Sequence, residues 1–226
     1  MCGGRGTRLG DGTEKPLIPI GGRPMVDRAL DALAESRVET THAVVSPHAP
    51  ATREHLLERR QGGERPGLRV IDAPGDGYVA DLQYAMERVG AESADAAPPP
   101  LLTVAADLPL VDAAAVNGVI DAARAAGDDD ASSSLTVCVP AARKRELGVS
   151  ADATSEIDGR EVVPAGINVV GGRSETERGD AEESDDGDAA VHLTEDVRLA
   201  VNVNYPSDVR AAERLLADRE ADADDD

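Results

Sequence analysis

The chain has 226 residues, 41% of them hydrophobic, which suffices for one globular domain with a sizeable core. Its 44 acidic residues outnumber 23 basic ones, and the formal net charge of −21 repels nucleic acid and anionic membranes. No run of about 18 apolar residues offers a membrane span, and the opening Met1-Cys2-Gly3-Gly4-Arg5 is not a signal peptide, so a cytoplasmic location is expected.

Glycines begin at residue 3 with no strand before them. In an α/β fold such a loop follows a strand, so a first strand is expected upstream of Met1. Helical spacing of apolar residues predicts a helix over Met25–Ala34. The β-branched run Thr41–Ser46 predicts a strand, followed by a helix over Ala51–Arg60 and a strand at Leu68–Asp72. A glycine-bearing turn leads to a helix over Val79–Val89, and a strand follows at Leu101–Ala105. Further on come a helix over Asp112–Ala126 and strands at Leu135–Val139, Ile167–Val170 and Leu199–Val203. The last predicted helix, Ser207–Ala217, has Ser207 as N-cap and Asp208 in its first turn. The alternation predicts an α/β class, with a mainly parallel mixed sheet flanked by helices. Residues 1–217 form one domain. Acidic loop insertions are expected at about 91–100 and 174–190, a polar loop at 127–134 and an acidic tail at 218–226.

Cys2 and Cys138 make neither a disulfide framework nor a metal-ligand spacing and read as small buried residues. His42, His48, His55 and His192 form no ligand pattern and read as structural. Lysine occurs only at Lys15 and Lys144, and Phe and Trp are absent. An acidic, lysine-poor surface is how a protein stays hydrated in molar salt, where a Debye length of about 3 Å screens self-repulsion. A halophilic protein is therefore expected. A lysine that survives in such a chain needs a reason, which marks Lys15.

The loop Gly3-Gly4-Arg5-Gly6-Thr7-Arg8-Leu9-Gly10 is dense in glycine, so its N–H groups can approach phosphate closely, with Arg5 and Arg8 as further donors. It runs on to Glu14-Lys15-Pro16-Leu17 and is neither a P-loop nor a dinucleotide fingerprint. The whole stretch Gly3–Met25 resembles the nucleotidyltransferase superfamily signature, GxGTR then KP then GxPM. That superfamily includes the sugar-1-phosphate nucleotidyltransferases, the molybdenum-cofactor guanylyltransferases and the archaeal adenosylcobinamide-phosphate guanylyltransferases. The resemblance implies a single Rossmann-like domain. It implies that Gly3, Gly4, Gly6, Thr7 and Arg8 wrap a triphosphate and that Lys15 neutralises charge on the α-phosphate.

Four further runs carry chemistry. In Leu102–Pro109 a hydrophobic strand ends in Asp107, where open α/β sheets meet ligands and where a carboxylate suits Mg²⁺; a turn or capping aspartate is the alternative, and the resemblance favours the metal. The run Ala200–Asp208, AVNVNYPSD, resembles the end of the family's catalytic core, with Tyr205 in place of a threonine, and implies that Asn204 joins the metal site. In Ala73–Leu82 the resemblance implies a nucleobase loop, in which Gly75 and Gly77 approach closely, Tyr78 stacks on or covers the base, and Asp81 accepts from a guanine edge; a turn with a capped helix is the alternative. In Pro164–Val170 it implies an acceptor-side strand with Gly166 and Asn168 as contacts. The basic run Arg143-Lys144-Arg145 reads either as capture of the acceptor's phosphate, through Lys144, or as a local salt-bridged surface.

The combination of TRLG, TEKPLI, GYVADL and NVNYPSD most resembles the cobinamide-phosphate branch. The expected reaction is transfer of GMP from GTP to adenosylcobinamide phosphate, a phosphorylated corrinoid, giving adenosylcobinamide-GDP and pyrophosphate in cobalamin biosynthesis. Catalysis would rest on Lys15, Arg8 and Asp107, with Mg²⁺ as cofactor. Neither nucleic acid nor a membrane is an expected partner, and a homodimer stays open. Molybdenum-cofactor guanylyl transfer, sugar-1-phosphate nucleotidyl transfer and a non-catalytic nucleotide-binding regulator are the alternatives.

Overall fold

A computed structural model describes residues 1–2, 9–10, 12–61, 67–92, 100–127, 134–171 and 189–224. Gly3, Gly4, Gly6, Thr7 and Arg8 lie outside these, as do most of the acidic insertions. After a 3₁₀ turn at Lys15–Leu17 come β1 (Pro19–Ile20), β2 (Arg23–Pro24), α1 (Met25–Ala34), β3 (Thr41–Val45), α2 (Pro50–Gln61), β4 (Leu68–Asp72) and α3 (Tyr78–Glu92). The second half holds β5 (Leu101–Val104), α4 (Ala113–Ala126), β6 (Leu135–Pro140), α5 (Ala141–Glu146), β7 (Ser155–Ile157), β8 (Arg160–Val170), β9 (Ala190–Leu193), α6 (Val197–Ala200) and α7 (Pro206–Asp224).

The strands and helices make an α/β fold with a mixed sheet flanked by helices, as the alternation predicts. β3 and β4 pair in parallel, and a second sheet runs β5-β8-β6-β9. Antiparallel pairing takes a larger share than expected because β8 inserts antiparallel between β5 and β6. The cause is a hairpin. β7 turns into β8 through Asp158-Gly159, both at positive φ (50° and 73°), and Ile157 pairs with Arg160 across that two-residue turn.

The largest core packs Met25, Ala29 and Ala32 of α1, and Val116 and Val119 of α4, against Val137 and Ile167 of the sheet. Leu199, Ala211 and Leu216 join it from the C-terminal helices. A second core joins Val26 and Leu30 to Ala43, Val45, Leu56 and Leu68. Without Phe or Trp, aliphatic side chains of similar size fill both, at about 25 cal/mol per Å² of apolar surface removed from water.

Several elements differ from expectation, among them short β1, β2, β7 and α5, which the pattern did not show. The predicted strand Leu199–Val203 begins instead with the helical turn α6, because the Asp196 carboxylate accepts from Arg198 N at 2.9 Å and caps it. The parallel partner of β6 is β9, which the pattern did not show. Helix α7 continues through Asp218 to Asp224, across most of the segment read as a tail.

Candidate active site

β5 ends at Val104, and the chain then turns so that Asp107 stands at the C-terminal edge of the sheet. Two backbone bonds fix it there: Ala105 N donates to Gly166 O at 2.8 Å, and Val203 N donates to Asp107 O at 3.0 Å. The second bond draws the Val201–Tyr205 segment alongside Asp107. Lys15 arrives from the N-terminal side, on a 3₁₀ turn anchored by its neighbour Glu14. The Glu14 carboxylate caps α2, accepting from Ala51 N at 2.9 Å and from Thr52 N and Oγ1 at 2.6 Å each. Burial opposes ionisation of Glu14, but the bonds from Thr52 and Ala51 prevail and hold its carboxyl below the usual range.

These supports converge on one cluster. Lys15 Nζ donates to Asp107 Oδ2 at 2.6 Å and to Asn204 Oδ1 at 2.8 Å. Asn204 is held in turn by Asp208, which is fully buried. Asp208 Oδ2 accepts from Asn204 N at 2.8 Å, Tyr205 N at 2.9 Å and Ser150 Oγ at 2.8 Å; its Oδ1 accepts from Ser150 N at 2.9 Å. Asp208 thus holds the backbone N–H groups of Asn204 and Tyr205 just ahead of α7, and because α7 starts at Pro206, Ser207 lies inside the helix rather than capping it. The other oxygen of the central aspartate, Asp107 Oδ1, is buried and has no hydrogen-bond partner. Gly166, at φ +82°, makes room beside it: a Cβ there would stand 3.2 Å from Ala105 Cβ and 4.0 Å from Asp107 Oδ1.

The cluster opens on a cleft whose walls include Lys15, Ser46, His48, Gly75, Tyr78 and Asp81. Gly75 adopts φ +86°, and a Cβ there would meet Pro47 at 2.7 Å, so the turn before α3 requires glycine. Asp81 is 6% exposed, and its Oδ1 accepts from Gly75 N at 2.8 Å. That oxygen braces the turn, so the carboxylate read as a receptor for a guanine edge already has a structural task. Tyr78 is half exposed at the lip of the cleft. Partial burial of its phenol, helped by the Asp107 charge and opposed by the Thr103 hydroxyl, raises its pKa. Ser46 and His48, at the end of β3, were read as part of a strand and as a structural histidine; their position at the C-terminal end of a parallel strand was the available signal.

Two residues expected on the acceptor side bond to the protein's own backbone instead. Lys144 is 2% exposed, and its Nζ donates to Ala200 O at 2.8 Å and Asn202 Oδ1 at 2.5 Å. It is thereby removed from the surface, which corrects its reading as a phosphate hook. Burial lowers its pKa, with the charges of Asp208, Asp107 and Asp152 opposing. Its neighbours make the salt-bridged surface of the other reading: Arg143 pairs with Glu146 and Arg145 with Glu161, each at 2.7 Å. Asn168 Oδ1 accepts from Val137 N at 3.1 Å, at the register shift between Thr136 and Cys138. The side chain serves a donor that the irregular ladder leaves over, so Asn168 works inside the sheet.

Among the described residues, no group of three His, Cys, Asp or Glu side chains is arranged to hold a metal. An ion here would depend on Asp107, Asn204 and oxygens of a bound phosphate. No helix among them is long and apolar enough to cross a membrane.

Comparison with known proteins agrees with this architecture. Residues 1–161 match the MobA-like NTP transferase domain. The chain is 30% identical over 218 residues to an adenosylcobinamide-phosphate guanylyltransferase of Methanocaldococcus jannaschii, covering 96% of this chain and 95% of that one. Among solved structures, a putative glucose-1-phosphate thymidylyltransferase of Bacillus anthracis superposes with a TM-score of 0.63 at 14% identity, over 96% of this chain and 93% of that one. A CMP:2-keto-3-deoxy-manno-octonic acid synthetase complexed with CTP gives 0.56 at 16% identity, over 94% of each chain. At such identities the two structures speak for the fold alone.

Proposed function

The chain belongs to the MobA-like NTP transferase family and is a nucleotidyltransferase; from that premise we propose that it transfers GMP from GTP to adenosylcobinamide phosphate and releases pyrophosphate. The observation that carries the reaction type is the meeting of Lys15, Asp107 and Asn204 at the sheet edge. The branch rests on the match to the Methanocaldococcus jannaschii protein along nearly the whole chain.

In this reading Lys15 binds the α-phosphate. Its ammonium leaves Asp107 and Asn204 for a phosphate oxygen when the nucleotide enters, and there it offsets the charge that builds as the acceptor attacks. The Gly3–Arg8 loop holds the β- and γ-phosphates. A phosphate oxygen of the acceptor forms a bond to the α-phosphorus in line with the departing oxygen, and the α–β bridge breaks. No general base is required, because a phosphate monoester with a second pKa of about 6 is already ionised near neutral pH. Tyr78 at the cleft lip covers the base.

Mg²⁺ suits this donor set. It prefers oxygen ligands and takes one or two carboxylates together with substrate phosphates. Asp107, whose buried Oδ1 lacks a partner, and Asn204 Oδ1 would hold it. Bound there, it supplies neutralisation of phosphate charge.

The test is pyrophosphate release in molar KCl with Mg²⁺ and GTP, comparing adenosylcobinamide phosphate, molybdopterin and a sugar-1-phosphate as acceptors. Release with the cobinamide phosphate alone supports the proposal. Release with another acceptor keeps the chemistry and moves the branch; GTP binding without release from any acceptor overturns the assigned reaction.

A further inference from the structure

Lys15 is carried by a turn of three residues, Lys15–Leu17, too short to hold its own position. Glu14 is the N-cap residue of this turn, yet its side chain makes no capping hydrogen bond to it. The carboxylate crosses instead to α2, 37 and 38 positions along the chain, and takes up the N–H groups of Ala51 and Thr52 and the Thr52 hydroxyl. α2 requires such an acceptor. It starts at Pro50 and has no acidic residue in its first turn, so no carboxylate of its own meets the donors that a helix start leaves over.

The joint between the two elements is internal. Thr52 is fully buried, so its hydroxyl must find a partner within the protein, and Glu14 is that partner. Leu17, at the other end of the turn, packs against the apolar cluster that contains Leu56 of α2. Lys15 thus stands between two attachments to one side of the fold. Ser46 and His48, which wall the cleft, lead into the same helix: Ala49 N donates to Ser46 O at 3.0 Å, and Arg53 N to Ala49 O at 3.1 Å. The start of α2 therefore links a wall of the cleft to the lysine that faces it. A lysine bears its charge on a flexible four-carbon stem, so where its ammonium can work depends on where its backbone is held. Misplacing a reacting group by about 1 Å can cost about 10²-fold in rate.

We propose that Glu14 is a positioning residue for Lys15: by pinning the Lys15 turn to Ala51 and Thr52, it keeps the ammonium at the edge shared by Asp107 and Asn204. Its effect on the reaction is exerted through Lys15 alone. The inference rests on the role given above to Lys15 at the α-phosphate.

The test uses the scarcity of lysine. Protein labelled with carbon-13 at lysine Cε gives one signal from Lys15 and one from the buried Lys144, which reports on the fold. Glu14→Ala should lower kcat for pyrophosphate release by about tenfold or more, and change KM for GTP by less than about threefold. The Lys15 signal should move towards that of free lysine while the Lys144 signal stays. Glu14→Gln keeps the shape and one acceptor oxygen, so it should recover most of the rate and of the Lys15 signal; it carries the comparison if Glu14→Ala does not fold. Parent-like kcat and Lys15 signal in both variants would overturn the proposal. So would a loss in which the Lys15 and Lys144 signals move together, the mark of a merely structural role. If the parent releases no pyrophosphate from any acceptor, the assigned reaction fails and the lysine signals decide by themselves: a shift confined to Lys15 supports the positioning role, and no shift overturns it.

Discussion

Lys15 and Asp107, 92 positions apart in the chain, meet at 2.6 Å, and the ammonium touches Asn204 in the same arrangement. The two side chains are 17% and 18% exposed, so the pair is open enough to exchange partners and shielded enough for its charges to matter. Lys15→Met should lower kcat by about 10²–10³-fold, the usual loss when one donor to developing charge is removed. KM for the nucleotide should move less, and the fold should persist by circular dichroism. A kcat within threefold of the parent would show that Lys15 only pairs with Asp107.

Asp107→Asn keeps size and shape but gives up the charge. If Asp107 holds Mg²⁺, the concentration of Mg²⁺ giving half-maximal rate should rise at least tenfold in the variant, while nucleotide binding measured without metal changes little. An unchanged midpoint, with activity merely reduced, would remove Asp107 from the metal site. Asn204→Ala should shift the same midpoint less, since an amide oxygen contributes no net charge.

Much of this cluster was legible in the chain because each member carried its own signal. Lys15 stood out in a sequence with only one other lysine, Asp107 closed a hydrophobic strand, and Asn204 lay in a run that resembles the end of the family's catalytic core. What stayed hidden depends on which way a side chain faces. In Arg143-Lys144-Arg145 three cations look alike, yet α5 turns the middle one inward to Ala200 and Asn202. Six residues of helix are too short to show a periodic face. The β-branched pattern of Leu199–Val203 yielded to a cap from Asp196, a neighbour outside the pattern. Asp158-Gly159 forms a two-residue hairpin turn, but its consequence, an antiparallel insert beside β5, depends on a partner far along the chain.

Gly166→Ala tests the space beside Asp107. The substitution brings a Cβ to 3.2 Å from Ala105 and forces a non-glycine residue to φ +82°. A loss of stability of about 1–3 kcal/mol is expected. Because the displaced atoms flank Asp107 Oδ1, activity under fully folded conditions should fall as well. Lost stability with full activity at low temperature would mean that the close approach serves packing alone.

Lys144 supplies a prediction with a definite sign in pH. Burial lowers its pKa, so the folded protein releases this proton at a lower pH than the unfolded chain, which holds it to about pH 10.4. Within that window the unfolded state binds more protons, and stability therefore rises with pH. Lys144→Met removes the proton. The stability of the parent minus that of the variant, from denaturant titrations, should then increase as the pH rises towards about 10.4, the pKa of the unfolded chain. The variant should also loosen Ala200 and Asn202, two residues from Asn204, and so raise the Mg²⁺ midpoint more than it alters nucleotide binding. A difference in stability that stays flat with pH would mean that Lys144 keeps its ordinary proton affinity in the fold.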